Sequence, residues 1–252
     1  MGFRFLRNAV EKRVATIRMH RPEKHNALSP AMLGEIESAF ERYGADETVH
    51  TIVLTGGEKV FSAGLDLDYI RRIETDDSAH FCRLYHQACR AILFCPVPVI
   101  AAVGGAAIAG GFDLTLMCDI RYASAGARFG QREVPLALTP LLDPLWRIIG
   151  LGNAREVALT GRIYGADEAL RMGYLSRVFP EGQLLKSALS AAFEMAGYDR
   201  RTLIETKALS HIVIHSDLDR SMRAQERILR SFIGTEESRR RVEALQKTLK
   251  KE

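Results

Sequence analysis

Two stretches of the chain share one design: an apolar run, a glycine-bearing loop, then the start of a helix. The first leads from Thr51 through Gly56 and Gly57 to Phe61, Ser62, Ala63, Gly64, Leu65 and Asp66. The second leads from Pro98 through Gly104 and Gly105 to Ala109, Gly110, Gly111, Phe112 and Asp113. A glycine ahead of a helix lets the backbone approach a ligand and leaves unpaired N–H groups facing it. Two such loops side by side can aim two N–H groups at one oxygen, the arrangement of an oxyanion hole. Neither loop fits GxGxxG or the P-loop pattern, which argues against dinucleotide and phosphate cradles. His211 and His215 stand four apart on a predicted helix, but no HExxH and no third ligand accompany them, so no metal is expected. Ser62 and Ser124 lack the GxSxG elbow of a serine hydrolase. Cys82, Cys89, Cys95 and Cys118 show no CxxC pairing and no zinc-type spacing, and are expected as reduced, mostly buried thiols.

The elements that must position these loops alternate in the first half of the chain. Val14–Met19 alternates apolar and polar residues and reads as a strand. Ser29 followed by Pro30 is a cap and then a proline at the first helical position. That helix carries Met32, Leu33, Ile36, Ala39 and Phe40 on one face. Thr51–Thr55 and Val99–Val103 read as buried strands, and 120–123 as another. Helices are expected over 66–72, over 77–94 and from Gly110-Gly111 onward. After Gly165 the pattern is mainly helical, over 166–172, 183–195, 201–215, 218–233 and 236–250. Strands followed by runs of helices imply a core plus a helical extension. The last helices are amphipathic with little core left to cover, which points to packing against another subunit.

Composition narrows the class. The 252 residues are 47% hydrophobic and 26% charged, an ordinary globular balance. The net charge of +4 is too slight to argue for nucleic acid. Arg239, Arg240 and Arg241 are offset by Glu236, Glu237 and Glu243, as on a solvated helix face. The longest apolar stretch, 95–108, is interrupted by Pro96, Pro98, Gly104 and Gly105, so it cannot be a membrane span of about 20 residues. With no signal-type apolar region and no Ser or Thr at position 6, a cytoplasmic location is expected.

Five segments, in order, resemble the crotonase (enoyl-CoA hydratase/isomerase) superfamily. They are Arg21 to Leu28, Phe61 to Asp66, Pro98 to Ala123, Phe129 to Glu133, and Leu159 to Leu175. The resemblance implies an α/β fold with a repeated ββα spiral core over 1–195 and a helical C-terminal region over 196–252. It implies trimers, often doubled into hexamers, with that helical region at the trimer contact. It also implies an acyl-CoA thioester as ligand, coenzyme A being part of the substrate, and no separate cofactor. The oxyanion donors implied are the backbone N–H groups of Leu65 and Gly110, and the catalytic carboxylates are Asp113 and Glu133. The CoA and substrate positions implied are Lys24, His25, Ala27, Ser62, Ala63, Gly64, Asp66, Leu67, Leu136 and Trp146.

Three features bear on the reaction. In the hydratases that the chain resembles, both carboxylates are glutamate, one activating water for attack at Cβ while a proton is delivered to Cα. Asp113 is one methylene shorter, drawing the carboxylate back by about 1.5 Å, a misplacement that can cost on the order of a hundredfold. Aspartate followed by glutamate also resembles the dienoyl-CoA isomerases, which carry one more aspartate after the glutamate. The nearest candidate here is Asp143. Third, Pro135, Pro140 and Pro144 and a row of leucines over 134–146 replace the glycine-rich loop of the hydratases, which makes the acyl pocket more apolar. Trp146 in that segment either caps the pocket or fills core. The sequence therefore supports hydration of a 2-enoyl-CoA, with an enoyl- or dienoyl-CoA isomerase as the alternative. A CoA-thioester hydrolase and an inactive CoA-binding subunit stand further off.

Overall fold

The computed structural model describes residues 2–214, 218–232, 235–237 and 240. The chain divides into two compact units, Met1–Ala196 and Gly197–Glu252.

In the first unit the larger sheet runs in spatial order β1 (Leu6–Glu11), β2 (Val14–Met19), β3 (Thr51–Thr55), β5 (Val99–Val103), β7 (Ile120–Ser124) and β10 (Arg177–Phe179). Only the β1–β2 pair is antiparallel. A second sheet holds β4 (Val60–Ser62), β6 (Ala106–Ile108), β8 (Arg128–Gly130) and β9 (Tyr164–Gly165). Each of β3, β5 and β7 thus hands the chain to a short strand of the second sheet, giving the repeated ββ step of the expected spiral. β3 and β5 are buried along their whole length. That explains their continuous apolar runs, since a parallel strand covered on both faces needs no polar alternation.

Helices complete each turn. α1 (Pro30–Ala45) begins where Ser29 Oγ accepts from Met32 N at 3.3 Å, and it buries Met32, Leu33, Ile36, Ala39 and Phe40 as the spacing predicts. It packs against α3 (Thr75–Leu93). Between them, α2 (Leu67–Ile70) is shorter than the predicted 66–72, because Asp66 is its cap. α4 (Gly110–Leu116) follows β6 and is buried throughout. The chain continues through α5 (Leu145–Ile149), α6 (Leu151–Thr160), α7 (Ala166–Arg171) and α8 (Leu184–Ala196). α8 lays Leu184, Ala188, Ala192 and Ala196, a row four apart, on Val14, Val53, Ile100 and Tyr122 of the larger sheet.

The second unit contains α9 (Arg200–Ile214) and α10 (Leu218–Phe232), with Val213, Ile214, Met222 and Leu229 exposed. His215, Arg239, Arg241 and nearly all of the helix expected over 236–250 lie outside the described residues. Arg240 is described, paired with Glu237 at 2.8 Å. All four cysteines are free thiols, with Cys82 exposed and the other three buried. Among the described residues no helix is long and apolar enough to cross a membrane.

Candidate active site

The first glycine loop is held from outside by one segment. Ala63 N–H donates to His25 O (3.0 Å), Leu28 N–H to Gly64 O (2.8 Å), and Asp66 N–H to Leu28 O (3.1 Å). Leu28 and Leu65 therefore form a parallel bridge. In such a bridge the groups flanking Leu65 make the bonds, so Leu65's own N–H points to the opposite side. Asn26, buried and at φ +54°, fastens the same loop: its Nδ2 reaches Gly56 O and Phe61 O at 3.0 Å, and its Oδ1 accepts from Arg21 N at 2.8 Å.

The second loop is held by its own backbone. Ala109 sits at φ +49°, ψ −128°, a left-handed conformation that costs an alanine on the order of 1–3 kcal/mol. Its N–H donates to Gly130 O at 2.8 Å. The turn delivers Gly110 to the first position of α4, where the N–H has no intrahelical acceptor.

The two loops meet with no side chain between them. A Cβ on Gly111 would stand 2.4 Å from Ser62 O, and one on Gly64 (φ +95°) 2.8 Å from Ile108 O. A Cβ on Gly110 would stand 3.2 Å from Leu65 Cδ2. Leu65 and Gly110 are thus neighbours, each with a backbone N–H outside the ladder or helix that surrounds it. An oxygen reached by both N–H groups would be held as in an oxyanion hole.

Two buried carboxylates complete the cluster. Asp113 is 2% exposed, one turn into α4. Its Oδ2 accepts from the Tyr85 hydroxyl at 2.6 Å and its Oδ1 from Gln131 Nε2 at 3.2 Å. Glu133 is 6% exposed, and its Oε2 is buried with no hydrogen-bond partner among the described residues. Burial, and then the charge of Glu133, push Asp113 up to about 7, against the two hydrogen bonds it accepts. Burial likewise raises Glu133 above its ordinary value. Asp113 is therefore poised to exchange a proton near neutral pH, as general acid–base chemistry requires, and Glu133 is shifted in the same direction.

The remaining predicted positions divide. Ala27 and Ser62 are buried, and the Ser62 hydroxyl is spent inside the protein, donating to Asn26 O (2.8 Å) and accepting from Gly64 N (3.2 Å). Asp66 is committed as well: Oδ2 pairs with Arg21 at 2.6 Å and Oδ1 caps α2. Ala63 and Leu67 lie on the surface beside the first loop. Lys24 is exposed and paired with Asp68 at 2.7 Å. His25, at φ +50°, borders a cavity of about 590 Å³ that also takes in Arg18, Lys59 and Ser124. That cavity lies at the carboxyl ends of the larger sheet's strands and includes none of Leu65, Gly110, Asp113 or Glu133.

Leu136 (50% exposed) and Trp146 (38%) lie in the segment 134–146, with Val134, Leu138 and Leu142 also exposed. Of the two readings of Trp146, the core-filling one is overturned: its ring is at the surface beneath the Arg147 guanidinium, 4.5 Å away. This segment is tied to the carboxylates, because Gln131 Nε2 also donates to Leu141 O at 2.6 Å. Asp143 does not join them. Both of its oxygens bond Arg147, at 2.8 and 2.9 Å, on an exposed helical turn.

Four residues with parts to play were not assigned roles from sequence: Arg21, Asn26, Tyr85 and Gln131. Three lie inside segments that carry the resemblance. Tyr85 does not, and its only signal is a place on the apolar stripe Phe81, Ala88, Cys89 and Ile92 of α3.

The ββα spiral with its two abutting glycine loops is the crotonase fold, and comparison with known proteins agrees. A solved enoyl-CoA hydratase from Bacillus anthracis superposes with a TM-score of 0.92 at 29% identity, covering 98% of this chain and 97% of that one. The family described as Enoyl-CoA hydratase/isomerase matches residues 9–252. The chain belongs to that family. A Rhizobium meliloti protein named "Probable enoyl-CoA hydratase" is 33% identical over 95% of this chain and 93% of its own length. A crotonyl-CoA hydratase of Syntrophomonas wolfei is 33% identical over 84% of this chain and 83% of its own length.

Proposed function

We propose that this member of the family is an enoyl-CoA hydratase that adds water across the 2,3 double bond of a 2-enoyl-CoA. The thioester oxygen lies between the N–H groups of Leu65 and Gly110, which stabilise the enolate as charge moves onto it. Glu133 is the principal acid/base: its Oε2 is the buried carboxylate oxygen with no partner among the described residues, and it takes the proton of the attacking water. Asp113 is its partner in moving the proton to Cα. The observation that carries this reading is a buried carboxylate pair beside two abutting loops, with one carboxylate unpaired inside the protein. Asp143, fastened to Arg147 at the surface, weighs against the dienoyl-CoA isomerase alternative, which calls for a third carboxylate in the site.

Further parts of the reading are that no cofactor beyond the substrate's own coenzyme A is needed, and that Lys24, His25 and 62–67 border the CoA. The exposed apolar segment 134–146 borders the acyl chain. The helical unit after Ala196 forms the contacts of a trimer or hexamer, and the enzyme works in the cytoplasm. The test is hydration of crotonyl-CoA by the protein and by Glu133→Gln. The variant is expected to lose at least about a hundredfold in kcat. Full turnover by the variant would overturn the role of Glu133. Release of free CoA in place of a hydrated product would make the protein a thioester hydrolase.

A further inference from the structure

Tyr85 belongs to α3, away from both glycine loops in sequence, yet it touches two parts of the site at once. Its hydroxyl donates to Asp113 Oδ2 at 2.6 Å. Its ring edge packs on the second loop, with Cε2 lying 3.3 Å from where a Cβ on Gly110 would stand. Gln131 grips the other oxygen of the same carboxylate. Asp113 is therefore fixed at both oxygens while Glu133 Oε2 is fixed by neither. An extra methylene at position 113 would drive the carboxylate into the Tyr85 hydroxyl. The phenol and the short acid thus fit one another.

Resting on the hydratase reading, we propose that Tyr85 is a positioning residue for Asp113. Through its hydroxyl it anchors the short carboxylate beside Gly110 and governs how the Asp113–Glu133 pair shares a proton. The titratable groups facing Asp113 are Tyr85 and Cys89 from α3, Glu133 from the segment after β8, and Tyr174 beneath α4, whose ring lies under the Arg121 guanidinium. Burial pushes Tyr85, Cys89 and Tyr174 upward, so all three are neutral at working pH. Tyr85 acts as a neutral donor that favours the ionised form of Asp113. Removing the hydroxyl must then move the titration of the pair to higher pH.

The test pairs two readouts. In Tyr85→Phe, kcat on crotonyl-CoA is expected to fall about tenfold or more with KM within about twofold, and the pH–kcat profile to move to higher pH. Asp113→Glu alone is expected to be impaired, because the longer side chain meets the hydroxyl. The double variant Tyr85→Phe/Asp113→Glu should exceed both single variants. An unmoved pH profile in Tyr85→Phe, or a double variant showing the product of the two single losses, would overturn the proposal. Carboxylate ¹³C NMR of labelled aspartate, with Asp113 assigned by Asp113→Asn, reads the same coupling without turnover. Titration of Asp113 at higher pH in Tyr85→Phe supports the proposal, and unchanged titration refutes it. Absence of hydration by the unaltered protein would defeat the hydratase reading alone, and the NMR titration would still decide the role of Tyr85.

Discussion

In the proposed hydratase the two glycine loops do the same work, and they are held by opposite means. The first, at 61–66, is fastened by side chains brought from the segment 21–28: Asn26 on its carbonyls, Arg21 on Asp66, and Ser62 on Asn26 O. The second, at 108–111, has no comparable set of side-chain fasteners among the described residues. A left-handed Ala109, one bond to Gly130 O and the start of α4 set its path. The difference teaches where each N–H gets its precision. Leu65 depends on a long-range polar network and Gly110 on backbone conformation, so different kinds of substitution should damage them.

The contact between the loops is the most sensitive point. Gly111→Ala places a methyl 2.4 Å from Ser62 O, and backbone must move apart to admit it. Losing one oxyanion donor costs about 2.7–4 kcal/mol, so kcat/KM is expected to fall about a hundred- to a thousandfold, read by steady-state kinetics on a chain that still folds.

Asp113→Asn probes the carboxylate carried by the second loop's helix, and kcat should drop about a hundredfold. Its stability has a definite sign. The folded-state value of about 7 lies above the ordinary 3.8, so between those values the native protein binds more protons than the unfolded chain. Asp113 therefore subtracts stability as pH rises through that window. Relative to the unaltered protein, Asp113→Asn should melt higher at pH 8, and the gain should shrink on going to pH 5. A gain that grows toward acid would contradict this.

Asn26→Ala removes the fastener of the first loop. It leaves the carbonyls of Gly56 and Phe61 without their donor, and a buried unsatisfied group costs about 1–3 kcal/mol. A lower melting temperature and a roughly tenfold loss in kcat/KM are expected. Ala109→Gly is the mildest and sharpens the contrast. It relieves the left-handed strain of the second loop, so stability should rise by up to about 1 kcal/mol with activity within about twofold.

These elements also show what a sequence makes legible. Val14–Met19, Thr51–Thr55 and Val99–Val103 match the predicted bounds to the residue, the first through its apolar–polar alternation, the other two because buried parallel strands are continuous apolar runs. The four strands of the second sheet went unread. At two or three residues each they are too short to carry a period, and close glycine approaches create their pairing. β1 carries no readable period because its apolar Ala9 and Val10 are exposed along with Arg7 and Glu11, and α6 none because glycines at 150 and 152 interrupt its pattern. The site divides along the same line. Backbone positions such as Leu65 and Gly110 are marked by the glycines around them. Asn26, Tyr85 and Arg21 work through partners 28 to 45 residues away, which no local pattern can reveal.

One measurement addresses the central claim most directly: incubation with crotonyl-CoA in deuterated water, followed by mass and ¹H NMR, for the protein and for Glu133→Gln. The account predicts a product that has gained one water and holds one carbon-bound deuterium at Cα, formed by the protein and at least about a hundredfold more slowly by the variant. Deuterium exchange or double-bond migration without added water, or an unimpaired Glu133→Gln, would contradict it.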